Sequence, residues 1–235
     1  MKPVLVEILA IGDELLYGQT MDTNSHWMSK ELDKVGFKVI RRTTIGDKEE
    51  QILTAFAEAE QRADIILISG GLGPTSDDLT KPCLAKYFNC ETAIHEEALA
   101  EVTAFFKSRG RELTEINRQQ AALPTCCTKI TNAIGTAPGM WFDKNRKIFV
   151  SMPGVPHEMK KMMNDIIIPK LKSQFKTPAL YHQMIRTAGI GESFLSEKIA
   201  SWEKSLPGHI KLAYLPSLGE VKLRLTGTGD SEETL

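Results

Sequence analysis

The 235-residue chain carries 29 Lys and Arg against 30 Asp and Glu, a formal net charge of −1, with 42% hydrophobic and 25% charged residues. That balance excludes a disordered chain and gives no basic footprint for nucleic acid, and no apolar run approaches the roughly eighteen residues a bilayer span needs. The length suits one large domain, or a main domain with a smaller one, burying about 70–75% of the unfolded surface. Met1-Lys2-Pro3 leads straight into a strand, which leaves no room for a leader. Cys83, Cys90, Cys126 and Cys127 show no C-x-x-C spacing and no His at zinc spacing, so reduced thiols in a cytoplasmic protein are expected.

Val4 to Ile11 reads as a buried strand ending in Gly12-Asp13-Glu14, a glycine and two acids at a strand's C-terminal end. Thr23 or Asn24 can cap a helix through Val35 with Trp27, Met28, Leu32 and Val35 inward, and Gly36 stops it. Lys38 to Ile45 is a second strand. Asp47 is placed as the cap of a helix whose Ile52, Leu53, Phe56 and Ala59 form a core stripe. Ala63 to Ile68 is short, apolar and β-branched, the mark of a buried parallel strand.

That strand runs into Ser69-Gly70-Gly71-Leu72-Gly73-Pro74-Thr75-Ser76-Asp77-Asp78, with a helix following from about Asp78 to Thr80 onward and Pro82 in its first turn. A glycine turn between a strand and a helix N-terminus favours anions, because unpaired N–H groups and the helix dipole both attract negative charge. The two aspartates oppose this. A carboxylate about 4 Å from a phosphate oxygen is repelled by roughly 4 kcal/mol at an effective dielectric near 20. A helix N-terminus returns only about 0.3–1 kcal/mol. Phosphate here therefore implies a divalent cation, held by Asp77 and Asp78 together with the phosphate oxygens. The plainer alternative is that both aspartates cap the helix.

Glu96 to Arg109 is helical with Ala98, Leu99, Val102, Phe105 and Phe106 inward, and a second helix spans Thr114 to Leu123, where Arg118 either reaches a phosphate or lies on a solvated face. Asn132 to Gly139, including Gly135 and Thr136, is a third small-residue loop before a hairpin, Met140 to Phe142 and Lys147 to Ser151. The last strand delivers Met152-Pro153-Gly154-Val155-Pro156, then Glu158 in the first turn of a helix. Glu158 serves either the helix dipole or the site. Met159, Met162, Met163, Ile166 and Ile167 have core spacing. Proline-bounded 169 to 178 marks the boundary between a domain of residues 1–170 and one of residues 171–235. The latter reads as β-α-β-β, with Phe194, Ile199 and Trp202 inward on its helix and a solvated tail after Gly229. G-x-G-x-x-G, G-K-[ST], H-E-x-x-H and G-x-S-x-G do not occur, so no organic cofactor is implied.

Gly12-Asp13-Glu14, Ser69 to Asp78, Gly135-Thr136-Ala137-Pro138-Gly139 and Met152-Pro153-Gly154-Val155-Pro156-x-Glu158-Met159 together resemble the competence/damage-inducible protein CinA family. The resemblance is specific over residues 1 to about 170. It is looser from 171 to 230, where it matches the family's small KH-type domain. It implies an α/β fold, a doubly wound, mostly parallel sheet of the gephyrin and MogA molybdopterin-binding type, followed by a small α+β domain. It also implies a homodimer and a metal-dependent pyrophosphatase acting on ADP-ribose. The further deamidase domain of many family members has no counterpart in this sequence. Carried over to these positions, Gly70, Gly71, Gly73 and Thr75 hold phosphate, Asp78 with Asp77 takes Mg²⁺, Mn²⁺ or Co²⁺, and Asp13 and Glu14 approach from the first strand. Ser69, Gly12, Gly135, Thr136, Pro153, Gly154 and Glu158 complete the expected nucleotide or pterin pocket. Asp77, Glu14 and Glu158, in that order, are the candidate general bases. The rival readings are a pterin- or nucleotide-binding module without turnover, and a regulatory scaffold.

Overall fold

The structure, a computed structural model, describes residues 2–229. Its contacts divide the chain into two units, Lys2–Leu32 with Phe37–Phe175, and Asp33–Gly36 with residues 176–229.

In the larger unit β1 (Leu5–Ile11) is followed by α1 (Asp13–Leu16), α2 (Thr23–Lys34), β2 (Lys38–Ile45), α3 (Glu49–Arg62), β3 (Ile65–Ser69) and α4 (Thr80–Tyr87). Then come β4 (Thr92–Ile94), α5 (Glu96–Ser108), α6 (Glu115–Arg118), β5 (Ala122–Pro124), β6 (Thr128–Ile130), β7 (Gly139–Lys144), β8 (Lys147–Met152), α7 (Pro156–Met162) and α8 (Ile168–Gln174). Six strands form one sheet in the order β2-β1-β3-β8-β7-β6. β2, β1, β3 and β8 run parallel, while β7 and β6 join antiparallel.

β3 is buried along its whole length, as a strand covered on both faces must be. Leu9, Ile11, Ile66 and Ile68 pack with Ile52 and Phe56 of α3 and Leu84 of α4. The alternate residues Ile8, Ala10, Ile65 and Leu67 are equally buried. The β7–β8 hairpin closes through Asn145 and Arg146, both at positive φ, the geometry that matches the twist of paired strands. Met159, Met162, Met163 and Ile167 are buried, so the methionine spacing is packing. Inside β1, Glu7 is fully buried. Arg62 grips it through Nε and Nη2 at 3.1 and 3.0 Å, and the Thr43 hydroxyl donates to it at 3.1 Å.

Several local expectations are corrected. The helix expected over Thr114 to Leu123 is only α6 and a 3₁₀ turn at Gln119–Ala121, because Ala122 to Pro124 pairs with β4 instead. Asp47 does not cap α3: its carboxylate accepts the Asp13 N–H at 2.9 Å. Asp22, not Thr23 or Asn24, caps α2, accepting the Ser25 N–H. Cys90 and Cys126 are joined in a disulfide and are not free thiols. The pairing of Thr92 with Pro124 brings them together across 36 residues, which no short spacing reveals. Cys83 and Cys127 are free.

The smaller unit contains β9 (Ala179–Ala188), α9 (Glu192–Ser205), β10 (Ile210–Ser217) and β11 (Glu220–Gly229), its antiparallel sheet ordered β10-β11-β9. Leu195, Val221 and Leu223 form its core, with Ile199, Leu212 and Tyr214 against them. Phe194 and Trp202, expected inward, are 70% and 39% exposed, because the helix turns Leu195 and Ile199 to the sheet. The tail expected after Gly229 lies outside the described residues.

Candidate functional site

In parallel sheets ligands bind beyond the carboxyl ends of the strands, where successive loops meet. Three loops are stitched together there. The Gly70 N–H donates to the Met152 carbonyl at 3.1 Å. Asn24 Nδ2 donates to Ser69 Oγ at 2.9 Å and to the Gly154 carbonyl at 2.8 Å. The Gly12 N–H donates to the Ile45 carbonyl at 3.0 Å. Together the loops surround a cavity of about 430 Å³.

The glycine turn bends back on β1. Gly70 has φ +109°, and a Cβ there would lie 2.1 Å from the Ile11 carbonyl oxygen. Gly71 has φ +64°, with Thr80 Oγ1 2.2 Å from where its Cβ would be. Only glycine accommodates both the conformation and the approach.

Asp78 folds onto this turn. Its Oδ1 accepts the Gly73 N–H at 2.8 Å, and its Oδ2 accepts the Thr75 N–H at 3.0 Å and the Thr75 hydroxyl at 2.6 Å. The capping alternative fails, since α4 starts at Thr80 with Leu79 as its N-cap and no side-chain cap bond. Two of the turn amides expected to hold phosphate are thus taken by Asp78, and the Gly70 amide is taken by Met152. An anion on the turn would use Gly71 and Leu72, whose amides have no acceptor among the described residues.

Acidic groups crowd this mouth. Asp13 and Asp47 bond reciprocally, Asp13 N–H to Asp47 Oδ2 at 2.9 Å and Asp47 N–H to Asp13 Oδ1 at 3.2 Å. Burial pushes the Asp47 carboxyl above its usual range, and the charges of Asp13, Glu14 and Asp77 push the same way. The Asp77 carboxyl is held below its usual range, by the Thr75 hydroxyl first and then by its own N–H. That hydroxyl has one proton and sits 2.6 Å from Asp78, so Asp77 feels its dipole and Asp78 receives the bond. Glu158 Oε2 accepts Asn132 Nδ2 at 2.6 Å, and its carboxylate lies against Gly135, 2.3 Å from where a Cβ would sit.

Behind the turn, Lys81 Nζ donates to the carbonyls of Gln119 at 3.3 Å and Gln120 at 3.1 Å. Burial lowers its pKa to about 8, against the opposing pull of Asp78 and Cys127.

Of the residues expected from sequence, Gly12, Glu14, Ser69, Gly70, Gly71, Gly73, Asp77, Asp78, Thr136, Pro153, Gly154 and Glu158 line the cavity. Asp13, Thr75 and Gly135 stand behind it, bonded to or packed on lining residues. Among the described residues no three His, Cys, Asp or Glu side chains are grouped as a metal cage.

The family comparisons agree with this layout. Residues 7–173 match the model described as a probable molybdopterin binding domain, and residues 182–235 match the damage-inducible protein CinA KH domain. The chain belongs to the CinA family. Among its CinA-like relatives, one from Cytophaga hutchinsonii is 50% identical over 99% of this chain and 56% of its own length. Another, from Flavobacterium psychrophilum, is 45% identical over 97% and 55%. The chain thus spans about half the length of the curated relatives it matches. A solved CinA structure from Thermoplasma acidophilum is similar with a TM-score of 0.65 and 33% identity, covering 71% of this chain and 98% of that one. The molybdopterin biosynthesis enzyme MoaB of Thermus thermophilus gives a TM-score of 0.50 at 19% identity, over 73% and 93%, which shows a shared fold. No helix among the described residues is long and apolar enough to cross a membrane.

Among the residues lining this CinA-family site, Asn24, Asp47 and Gln120 are ones that local sequence assigns elsewhere. Asn24 and Asp47 have the local marks of helix caps, and Gln120 those of a helix that in the structure is reduced there to a 3₁₀ turn. Asn24 sits on a polar-rich helix start, and that type of residue at that place suits a cap equally well. All three are held by partners 34 or more residues away in sequence: Asp47 by Asp13, Asn24 by Gly154, and the Gln120 backbone carbonyl by Lys81.

Proposed function

We propose that this protein hydrolyses the diphosphate bond of a nucleoside diphosphate sugar such as ADP-ribose, with a divalent cation. The observation that carries the reading is a glycine turn facing Glu14, Asp47, Asp77, Asp78 and Glu158 around one cavity. The donor set fits Mg²⁺, Mn²⁺ or Co²⁺, since it is all oxygen, and the charges of Asp13, Glu14 and Asp77 add to the burial that raises the Asp47 carboxyl. Asp77 and Asp78 would hold the ion, and Glu14 lines the same cavity. When bound, the cation supplies Lewis-acid polarisation of the diphosphate. The Gly71 and Leu72 amides take diphosphate oxygens and stabilise the charge that builds there. Asp77, Glu14 and Glu158, in that order, are the candidates to take the proton of the attacking water. A homodimer and a cytoplasmic setting belong to the same proposal.

Incubation with ADP-ribose and each of the three metals tests it. AMP and ribose 5-phosphate should appear with at least one metal and not with chelator. A second reading, a pterin- or nucleotide-binding module without turnover, is favoured by one feature, the prior engagement of the Asp78 carboxylate by the turn. Ligand binding without AMP release under every metal would select it.

A further inference from the structure

We propose that the Cys90–Cys126 disulfide is a thiol–disulfide exchange site for an external dithiol, attacked at Cys126, and that opening it loosens one wall of the cavity. The proposal goes beyond the hydrolysis reading and stands without it, because it concerns the wall and not the ligand. Cys126 is exposed and Cys90 partly exposed. Cys126 lies on the turn closed by the Cys127 N–H to the Pro124 carbonyl at 3.1 Å. Solvent-exposed disulfides are the labile and regulatory ones, whereas structural ones resist reduction. Cytosolic disulfides are mostly transient, catalytic or redox-sensing, so the proposed cytoplasmic setting points the same way.

One thiolate of the dithiol attacks Cys126 Sγ, forms a mixed disulfide there and releases Cys90 as a thiolate, which takes a proton from water. The second thiolate then attacks the dithiol sulfur of that mixed disulfide and releases Cys126, which is protonated in turn. Two electrons pass to the protein, and the dithiol leaves as an intramolecular disulfide. The neighbouring Cys127 does not compete. Burial pushes its thiol up to about 11, against the pull of its own N–H and of Lys81, so at neutral pH it is protonated and a poor nucleophile. Cys83 is buried, and burial pushes its thiol up to about 11 as well.

The bridge spans 36 residues, and within that span lies Gln120, which lines the cavity. The stretch from Gln119 to Cys126 is tied to the α4 segment at two places. Lys81, in the first turn of α4, donates to the carbonyls of Gln119 and Gln120. Cys90, just past the end of the helix and bonded through its N–H to the Ala85 carbonyl, carries the bridge. Between these ties β5 has three residues, paired with the three of β4. Two backbone bonds add to the pairing, His95 N–H to the Ala121 carbonyl at 2.9 Å and Thr125 N–H to the Glu91 carbonyl at 2.8 Å. A cross-link restricts the chain between its ends. Once it is cut, this wall rests on a short strand pair and a few polar contacts, and it opens locally at lower cost.

The test treats the native protein with dithiothreitol and follows it by alkylation with mass spectrometry and by hydrogen exchange of the amides from Gln119 to Thr125. The thiols of Cys90 and Cys126 should become alkylatable without denaturant. Exchange over residues 119–125 should speed up at least about threefold, while that of β1 and β3 stays unchanged. Cys126→Ser, a change at an exposed position, should show the faster exchange without reductant. Cys127→Ser should respond to reductant as the wild type does. A bridge that yields only after denaturation overturns the proposal. Reduction that leaves exchange over residues 119–125 unchanged overturns it as well, and so do alkylatable Cys90 and Cys126 in native protein prepared in air without reductant.

Discussion

Asp78 Oδ1 accepts the Gly73 N–H at 2.8 Å, so the acid next to the helix start and the third glycine of the turn form one unit. With the Thr75 N–H and hydroxyl on its other oxygen, this carboxylate fixes the shape of the turn. Asp78→Asn keeps one acceptor but points an NH₂ at a donor. The expected result is loss of metal-dependent ADP-ribose hydrolysis by about two orders of magnitude or more, with a stability loss near 1 kcal/mol for one hydrogen bond at an exposed site. Initial rates and a thermal melt on the same variant separate the two effects.

The glycines of the turn should differ in kind. A Cβ on Gly70 meets a backbone carbonyl, that of Ile11, at 2.1 Å and requires an unfavourable φ, so Gly70→Ala should cost about 2 kcal/mol or more. A Cβ on Gly73 meets only the Asp78 carboxylate, at 2.4 Å, which can swing away. Gly73→Ala should therefore stay folded, with its melting point nearer the wild type's than that of Gly70→Ala, while losing activity as Asp78 is displaced. Denaturant melts of both, alongside rates, check the contrast.

Glu7 has no exposed surface, and Arg62 supplies two of its hydrogen bonds. Arg62→Leu leaves a buried carboxylate with only the Thr43 hydroxyl. A loss of about 3 kcal/mol is expected, in the range for breaking one side of a buried pair. Double replacement of Glu7 and Arg62 by apolar residues should cost less than the single change, which a double-mutant cycle in urea measures.

Lys81 gives a signed pH dependence. Its folded pKa of about 8 lies below the unfolded value of 10.5, so between these the unfolded chain binds more protons. Stability from this group therefore rises as pH increases from about 8 to 10.5, by at most about 3 kcal/mol. Lys81→Met should flatten that part of the stability profile in the absence of ligand.

The disulfide is checked by thiol counting. Denatured, unreduced protein should show two reactive thiols, those of Cys83 and Cys127, and four after reduction. Four before reduction would place Cys90 and Cys126 as free thiols.

The strands and the loops at their ends were legible because their signals are local. The run Ile65 to Ile68 is apolar on both faces, and Gly70 and Gly71 of the following turn sit at positive φ as such a turn requires. What Asp78 does was not legible. An aspartate before a helix can cap the helix, bind a cation or fold back on its own loop, and only the three donors at 2.6–3.0 Å decide. Asp47 and Asn24 were misread for the same reason, since a cap is the local use of such residues and both are used at a distance. Gln120 was hidden by a helical pattern that yields to pairing of Leu123 with Ala93.

The most direct test titrates an α,β-methylene analogue of ADP-ribose, which cannot be hydrolysed at the bridging position, into wild-type protein with chelator and then with Mg²⁺. Carboxylates this close to a diphosphate repel it unless a cation intervenes, so affinity should rise at least about tenfold with the metal. Equal affinity with and without the cation would contradict the account.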